Sequence, residues 1–143
     1  MDDIMTKPYK TFNHTADLGI EVYAKDQKQL FVNAGFSLFD LITDMHKVEA
    51  KTSLPLSVEG MNLEDLMVSW LSELLYFHQV KGYLFTHFTI HDVSEKAIKA
   101  NVKGEKFDPH RHELIREIKA VTYHQIKVAC VNGTWISRIV FDI

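Results

Sequence analysis

The chain has little that would staple it together or loosen it. Of its 143 residues one is cysteine, three are proline and six are glycine. The single thiol, Cys130, excludes an internal disulfide framework and a cysteine-based zinc site within one chain, and it fits a reducing compartment. There is no low-complexity tract, no Pro/Gly-rich linker and no repeat, so one domain over 1–143 is expected. No apolar run approaches the ~18–20 residues a membrane span needs. The opening Met1-Asp2-Asp3 lacks the basic region of a signal peptide, so a cytoplasmic location is expected. No glycine-rich phosphate loop, G-x-S-x-G elbow or H-E-x-x-H zinc motif occurs. No basic run stands out either. Lys and Arg total 16 against 19 Asp and Glu, a formal net charge of −3. Autonomous DNA or RNA binding, which leans on clustered cations and counterion release, is therefore disfavoured.

What is present is patterning. Leu18, Ile20, Val22 and Ala24 alternate with Gly19, Glu21, Tyr23 and Lys25, the period of a half-buried strand. The stretch before it, Lys7 to His14, also reads as extended. Asp26 caps a following helix, with Gln29 placed to reach back, and Leu30, Phe31, Ala34, Leu38, Leu41 and Ile42 recur at helical spacing. Val48 to Glu59 contains Pro55 and reads as an edge strand, because proline cannot donate to a ladder. Asn62 starts a second helix with Asp65 three residues on. Its stripe is Leu63, Leu66, Met67, Trp70, Leu71, Leu74 and Leu75, and Lys81-Gly82 ends it. Strands are expected at 83–91, 97–104, 117–131 and 134–143, with Asn132-Gly133 as a tight hairpin turn. The fold class is α+β: a mostly antiparallel sheet with two helices packed on one face.

Residue types and parity suggest where chemistry lies. Cys130 shares the parity of Ile118, Ile126 and Val128 and reads as a buried small hydrophobe. His124 shares it too and reads as a partly buried histidine. His87 and His91 lie some ~13 Å apart along one strand and cannot chelate one ion unaided. The loop from Glu105 to Glu113, with His110 and His112, is the most polar stretch, and such loops are either solvated or functional. Asp17 falls on the outward parity at the turn into its strand. Asp142 falls on the outward parity of the last strand, beside the terminal carboxylate of Ile143. If the first and last strands meet, these three groups form an all-oxygen set suited to a hard divalent ion. If not, Asp17 caps a turn and Asp142 is a polar chain end. Periodicity alone leaves both open.

Four blocks together resemble the archease family. They are His14-Thr15-Ala16-Asp17-Leu18-Gly19-Ile20, Trp70-Leu71-Ser72-Glu73-Leu74-Leu75-Tyr76-Phe77, the pair Gly104-Glu105 with Arg111-His112-Glu113 running into Glu117 to His124, and Phe141-Asp142-Ile143. They occur in family order across 9–143. The resemblance implies a non-enzymatic accessory protein with no catalytic residue of its own. Its partner would be the RtcB-type tRNA-splicing RNA ligase, which uses GTP and Mn²⁺ and passes through a guanylylated histidine. The role implied is to promote guanylylation and multiple turnover, with tRNA associated only indirectly. The alternative is a chaperone-like adaptor for a tRNA-modifying enzyme such as a tRNA methyltransferase. A metal-dependent hydrolase, the third option, would need a general base beside the ion, for which His14 is the only nearby candidate. Carried over by motif, one divalent cation (Ca²⁺, Mn²⁺ or Mg²⁺) is held by Asp17, Asp142 and Ile143. His14 is expected to orient the Asp17 turn. Lys119, Glu105 and His112 are expected to support that site or contact the partner.

Overall fold

The computed structural model describes residues 7–14 and 17–143, and of Asn13 and His14 the backbone alone. The elements run β1 (Tyr9–His14), β2 (Asp17–Ala24), α1 (Gln27–Ile42), a 3-10 turn (Met45–Lys47), β3 (Thr52–Glu59), α2 (Leu63–Gln79), β4 (Tyr83–Val93), β5 (Ala97–Lys106), β6 (Ala120–Val121), β7 (Lys127–Val131) and β8 (Thr134–Asp142). The fold is α+β and every strand pairing is antiparallel. The strands divide into two sheets. One runs β1-β2-β8, with β6 and β7 sharing the far edge of β8, and the other runs β3-β5-β4.

Local chemistry accounts for the helices. Asp26 caps α1 by accepting from the Gln29 N–H at 2.7 Å. The Gln29 side chain turns forward to Asn33 instead of back, so the cap is one-sided and not the reciprocal box expected. Asn62 caps α2 through the Asp65 N–H, and Asp65 returns a bond to the Met61 N–H. Gly82, at φ +79, closes α2 in a conformation glycine adopts freely. Helix α1 packs on both sheets, touching β2 and β4, as well as α2. Its face of Leu30, Phe31, Ala34, Leu38 and Phe39 is completely buried. The Trp70 indole ties α2 to α1 by donating to the Phe31 carbonyl at 2.8 Å. Ile20, Val22, Ile139 and Phe141 bring the first sheet into the same core. Pro55 sits exposed on edge strand β3, where its missing N–H leaves no gap in the sheet's interior.

Several expectations need correction. The strand expected over 117–131 is two pieces. Val121 pairs with Phe141 and Lys127 with Arg138, so six steps on one strand face three on the other. The surplus loops out through Gln125 at φ 55. Alternating polarity continues across that gap, which is why it read as one strand. The loop resets parity: Val121 packs inward and Ala120 shares the face of Asp142. His124 is exposed as a result. Cys130 is exposed near the tip of the β7-β8 hairpin, beyond the reach of the core. Tyr23 and Phe77 are half-buried, with Phe77 edge-on to Tyr83 and Phe85. Asn132 and Gly133 both take positive φ, as a two-residue primed hairpin turn requires. Among the described residues no helix is long and apolar enough to cross a membrane.

Candidate functional site

The strand that carries Asp17, β2, and the last strand, β8, are neighbours. In the β2-β8 ladder Asp17 lies directly opposite Asp142, and in the flanking ladders His14 lies opposite Asp17 and Ala120 opposite Asp142. Directly opposed residues on antiparallel strands project to the same side, with Cβ atoms about 4.5–5.5 Å apart. The other side is the core side, because Ile20, Val22, Ile139 and Phe141 are buried there. Asp17 and Asp142 therefore share the outward face at one end of the sheet. Asp17 is half-buried, Asp142 and Ile143 are exposed. Lys119 is exposed next to them, and its N–H donates to the Asp142 carbonyl at 2.7 Å. The turn 15–16 and the His14 side chain lie outside the described residues. Among the described residues no three His, Cys, Asp or Glu side chains converge as a metal cage. Asp17 and Asp142 supply two carboxylates, and a third oxygen group has to come from elsewhere, such as the chain end at Ile143.

The rest of that face is built from ion pairs on an aromatic plate. The Phe12 ring lies over Gly19, where an added Cβ would sit 2.2 Å from ring carbons, so a larger residue there would have to displace the ring. The Arg138 guanidinium stacks on Phe12, 3.8 Å from the ring centroid, and its Nη1 is 3.0 Å from Glu21 Oε2. Lys10 approaches the other oxygen of Glu21 at 3.6 Å. The Tyr23 hydroxyl, with Lys10 and Arg138 behind it, holds the Glu21 carboxyl below its ordinary range.

Glu105 and His112 lie elsewhere, in a buried cluster between β5 and the segment that follows it. Each is 5 % exposed. Arg111 grips Glu105 with two parallel bonds of 2.7 Å, Nη1 to Oε1 and Nη2 to Oε2. Glu105 Oε2 also takes the Glu49 N–H at 2.7 Å and lies 3.0 Å from His112 Nε2. The Asp108 N–H donates to His112 Nδ1 at 2.9 Å, which leaves Nε2 as the protonated nitrogen that donates to Glu105. Arg111 holds the Glu105 carboxyl far below the usual carboxylate range, and Glu105 drives the guanidinium still higher. Glu105 and His112 are therefore a buried polar strut and not an open surface. Arg111, which completes it, carried no assigned role in the sequence, although its place beside His112 in a polar loop was a usable signal. Gln79, whose amide reaches the main chain of Ile118 and Lys119, gave no sequence signal.

A cavity of about 630 Å³ opens between the end of α2 and the segment 114–118, lined by His78, Gln79, Phe107 and Ile118 among others. Burial pushes the His78 imidazole below its ordinary range, and its Nδ1 lies 3.0 Å from the Tyr83 carbonyl, which makes Nδ1 the donor. His87 and His91 are exposed on β4, and His110 is exposed in the loop after β5.

Two antiparallel sheets closing on two helices, with an acidic pair where β2 and β8 meet, define the fold class. Residues 9–143 match the Archease protein family. The Protein archease of Pyrococcus furiosus is 37% identical over 142 residues, covering 96% of this chain and 99% of that one. That of Methanopyrus kandleri is 36% identical over 139 residues, covering 95% and 99%. The solution structure of Methanobacterium thermoautotrophicum protein 1598 superposes with a TM-score of 0.80 at 26% identity, covering 96% of this chain and 100% of that one. A Thermotoga maritima crystal structure described as an archease, possible chaperone, shares the fold with a TM-score of 0.64 at 21% identity, covering 94% and 96%. The chain belongs to the archease family.

Proposed function

We propose that this protein is a non-enzymatic activator of the RtcB-type tRNA-splicing RNA ligase. It promotes GTP-dependent guanylylation and repeated turnover through an acidic surface that holds one divalent ion, in the cytoplasm and with tRNA associated only through the ligase. Family membership supports the accessory role. The observation that carries the reading to particular residues is the direct opposition of Asp17 and Asp142. Like charges facing each other on a ladder are destabilising, and a cation between them reverses that sign.

The donors fit such an ion in kind. Two carboxylates on one face, with the Ile143 carboxylate one residue further on, make an all-oxygen set of the sort that prefers Ca²⁺, Mg²⁺ or Mn²⁺ to softer metals. When bound, the ion offsets negative charge on oxygen-rich groups. Asp17 and Asp142 bind it from adjacent strands, Ile143 closes the set, and the exposed strand end leaves its outer side open to groups from the ligase. Lys119 supplies a cation beside the acids for a carboxylate or phosphate of the partner. His14, whose backbone lies opposite Asp17 in register, is assigned the role of orienting Asp17.

The test is ligase guanylylation with and without this protein across Mn²⁺ and Ca²⁺ concentrations. Wild type is expected to stimulate, and Asp17→Ala to abolish stimulation with its circular dichroism unchanged. Full stimulation by Asp17→Ala would remove the ion from the account. A wild-type protein without effect on the ligase would remove the ligase, and a changed tRNA specificity of a methyltransferase would then point to the adaptor role.

A further inference from the structure

Strand β6 is two residues long, yet it lies against the strand end that carries the acidic pair. Two ladder positions are well under the usual strand length, and a piece that short needs an outside hold. Helix α2 provides it. The Gln79 amide, at the last residue of α2, donates from Nε2 to the carbonyl oxygens of Ile118 and Lys119, both at 3.0 Å. On its other side Lys119 donates its N–H to the Asp142 carbonyl at 2.7 Å. A continuous line of hydrogen bonds thus runs from the Gln79 side chain through the Lys119 main chain to Asp142. At the opposite end of α2, Asp65 accepts from the Tyr123 hydroxyl at 2.6 Å, so the helix grips the 118–123 segment from both ends.

We propose that Gln79 is a positioning residue for the acidic sheet end: its amide fixes β6 against the chain terminus and so sets where Asp142, Ile143 and Lys119 present their groups. The proposal rests on the reading of Asp17, Asp142 and Ile143 as ion ligands. Glutamine suits the task because a primary amide carries two N–H donors and can serve two carbonyls at once. Glutamate has the same shape and no donor. Arginine is longer but keeps donors. Gln79 is exposed, so its loss lets water reach the two carbonyls and loosens geometry without opening the core.

Charge and geometry make opposite predictions for these two variants. Gln79→Glu adds a negative charge, which by itself favours a cation. Gln79→Arg adds a positive charge, which by itself repels one. The test uses Tb³⁺ alone as a luminescent probe of the ion site, with hydrogen exchange at the Lys119 amide read in parallel. Outer partners of metal ligands typically matter by 10–100-fold, so Gln79→Glu is expected to weaken Tb³⁺ binding roughly tenfold and to speed Lys119 exchange, with the ion-free melting midpoint near wild type. Gln79→Arg is expected to bind Tb³⁺ more tightly than Gln79→Glu despite its charge. The reverse order, or a Lys119 amide equally protected in wild type and Gln79→Glu, overturns the proposal. Asp17→Ala in the same titration separates the two ideas. If it binds Tb³⁺ like wild type, the ligand assignment fails, while Lys119 exchange in Gln79→Glu still decides whether Gln79 holds β6.

Discussion

The protein carries its acids in two contrasting settings. Glu105 is buried, gripped by Arg111 and bonded to the Glu49 N–H and to His112. Asp17 and Asp142 stand opposite one another at an open sheet end, in line with an exposed chain terminus. In the first setting the negative charge is matched by cations and donors of the same chain, and it holds three separate stretches together. In the second, two charges of one sign are brought close. A carboxylate buried among its own partners is spent on structure, whereas a pair facing each other across a ladder end lies at the solvent-exposed margin of the sheet.

The contrast can be broken by mutation. The largest effect is expected from Glu105→Ala, which strands Arg111 and His112 around a missing partner. A loss of about 3 kcal/mol in urea unfolding is expected. Ligase stimulation at a temperature where the variant stays folded should be retained. A variant that keeps wild-type stability would show that the buried cluster is no strut.

Acid unfolding sharpens the same point. The Glu105 carboxyl titrates lower in the folded chain than in the unfolded one. The unfolded state therefore binds more protons in the acid range, and stability rises with pH there. The contribution is fully present above the unfolded carboxyl value of about 4.3 and is lost as pH falls through the depressed folded value. Glu105→Gln should flatten stability against pH below roughly 4, and an unchanged slope would contradict the assignment.

A smaller change is expected from Ser137→Ala. That hydroxyl is buried on the inner face of β8 with no hydrogen-bond partner among the described residues. Its removal should raise stability by about 1 kcal/mol, read as a higher urea midpoint at unchanged slope. Asp142→Asn lies at the sheet end and should shift ion-free stability by only a few tenths of a kcal/mol, upward if repulsion with Asp17 is felt. It should also erase any rise in melting midpoint on adding Ca²⁺ or Mn²⁺. Smallest of all is Cys130→Ser, which is exposed and should stay within about 0.5 kcal/mol of wild type.

Much of the fold was legible where period and punctuation agree. The alternation from Leu18 to Ala24, the caps at Asp26 and Asn62, and the Asn132-Gly133 turn each have a local physical cause, and each appears where expected. What was not legible is relational. Periodicity says which residues share a face, not which strands adjoin, so neither the division into two sheets nor the meeting of β2 and β8 followed from it. The polar loop after Glu105 read as either solvated or functional because its residues are charged, and neither reading includes burial. Burial there depends on the Glu49 and Asp108 N–H groups happening to point at Glu105 and His112, which no composition reveals. Cys130 kept the right parity and still came out exposed, since parity does not say where a strand outruns the core. Asp17 and Asp142 were legible as outward-facing acids. Their opposition emerged only from the ladder.

That ladder also sets an order of events. Glu21 and Arg138, paired across it, are 117 residues apart in the chain. Strand β2 and its partner β8 lie at opposite ends of the described sequence, so their pairing joins distant parts of the chain. Contacts that distant are slow to form. Pairing of β2 with β8, and the acidic corner that depends on it, is therefore among the slower steps of folding, and losing the corner together with Phe141 would also take a fully buried ring from the core.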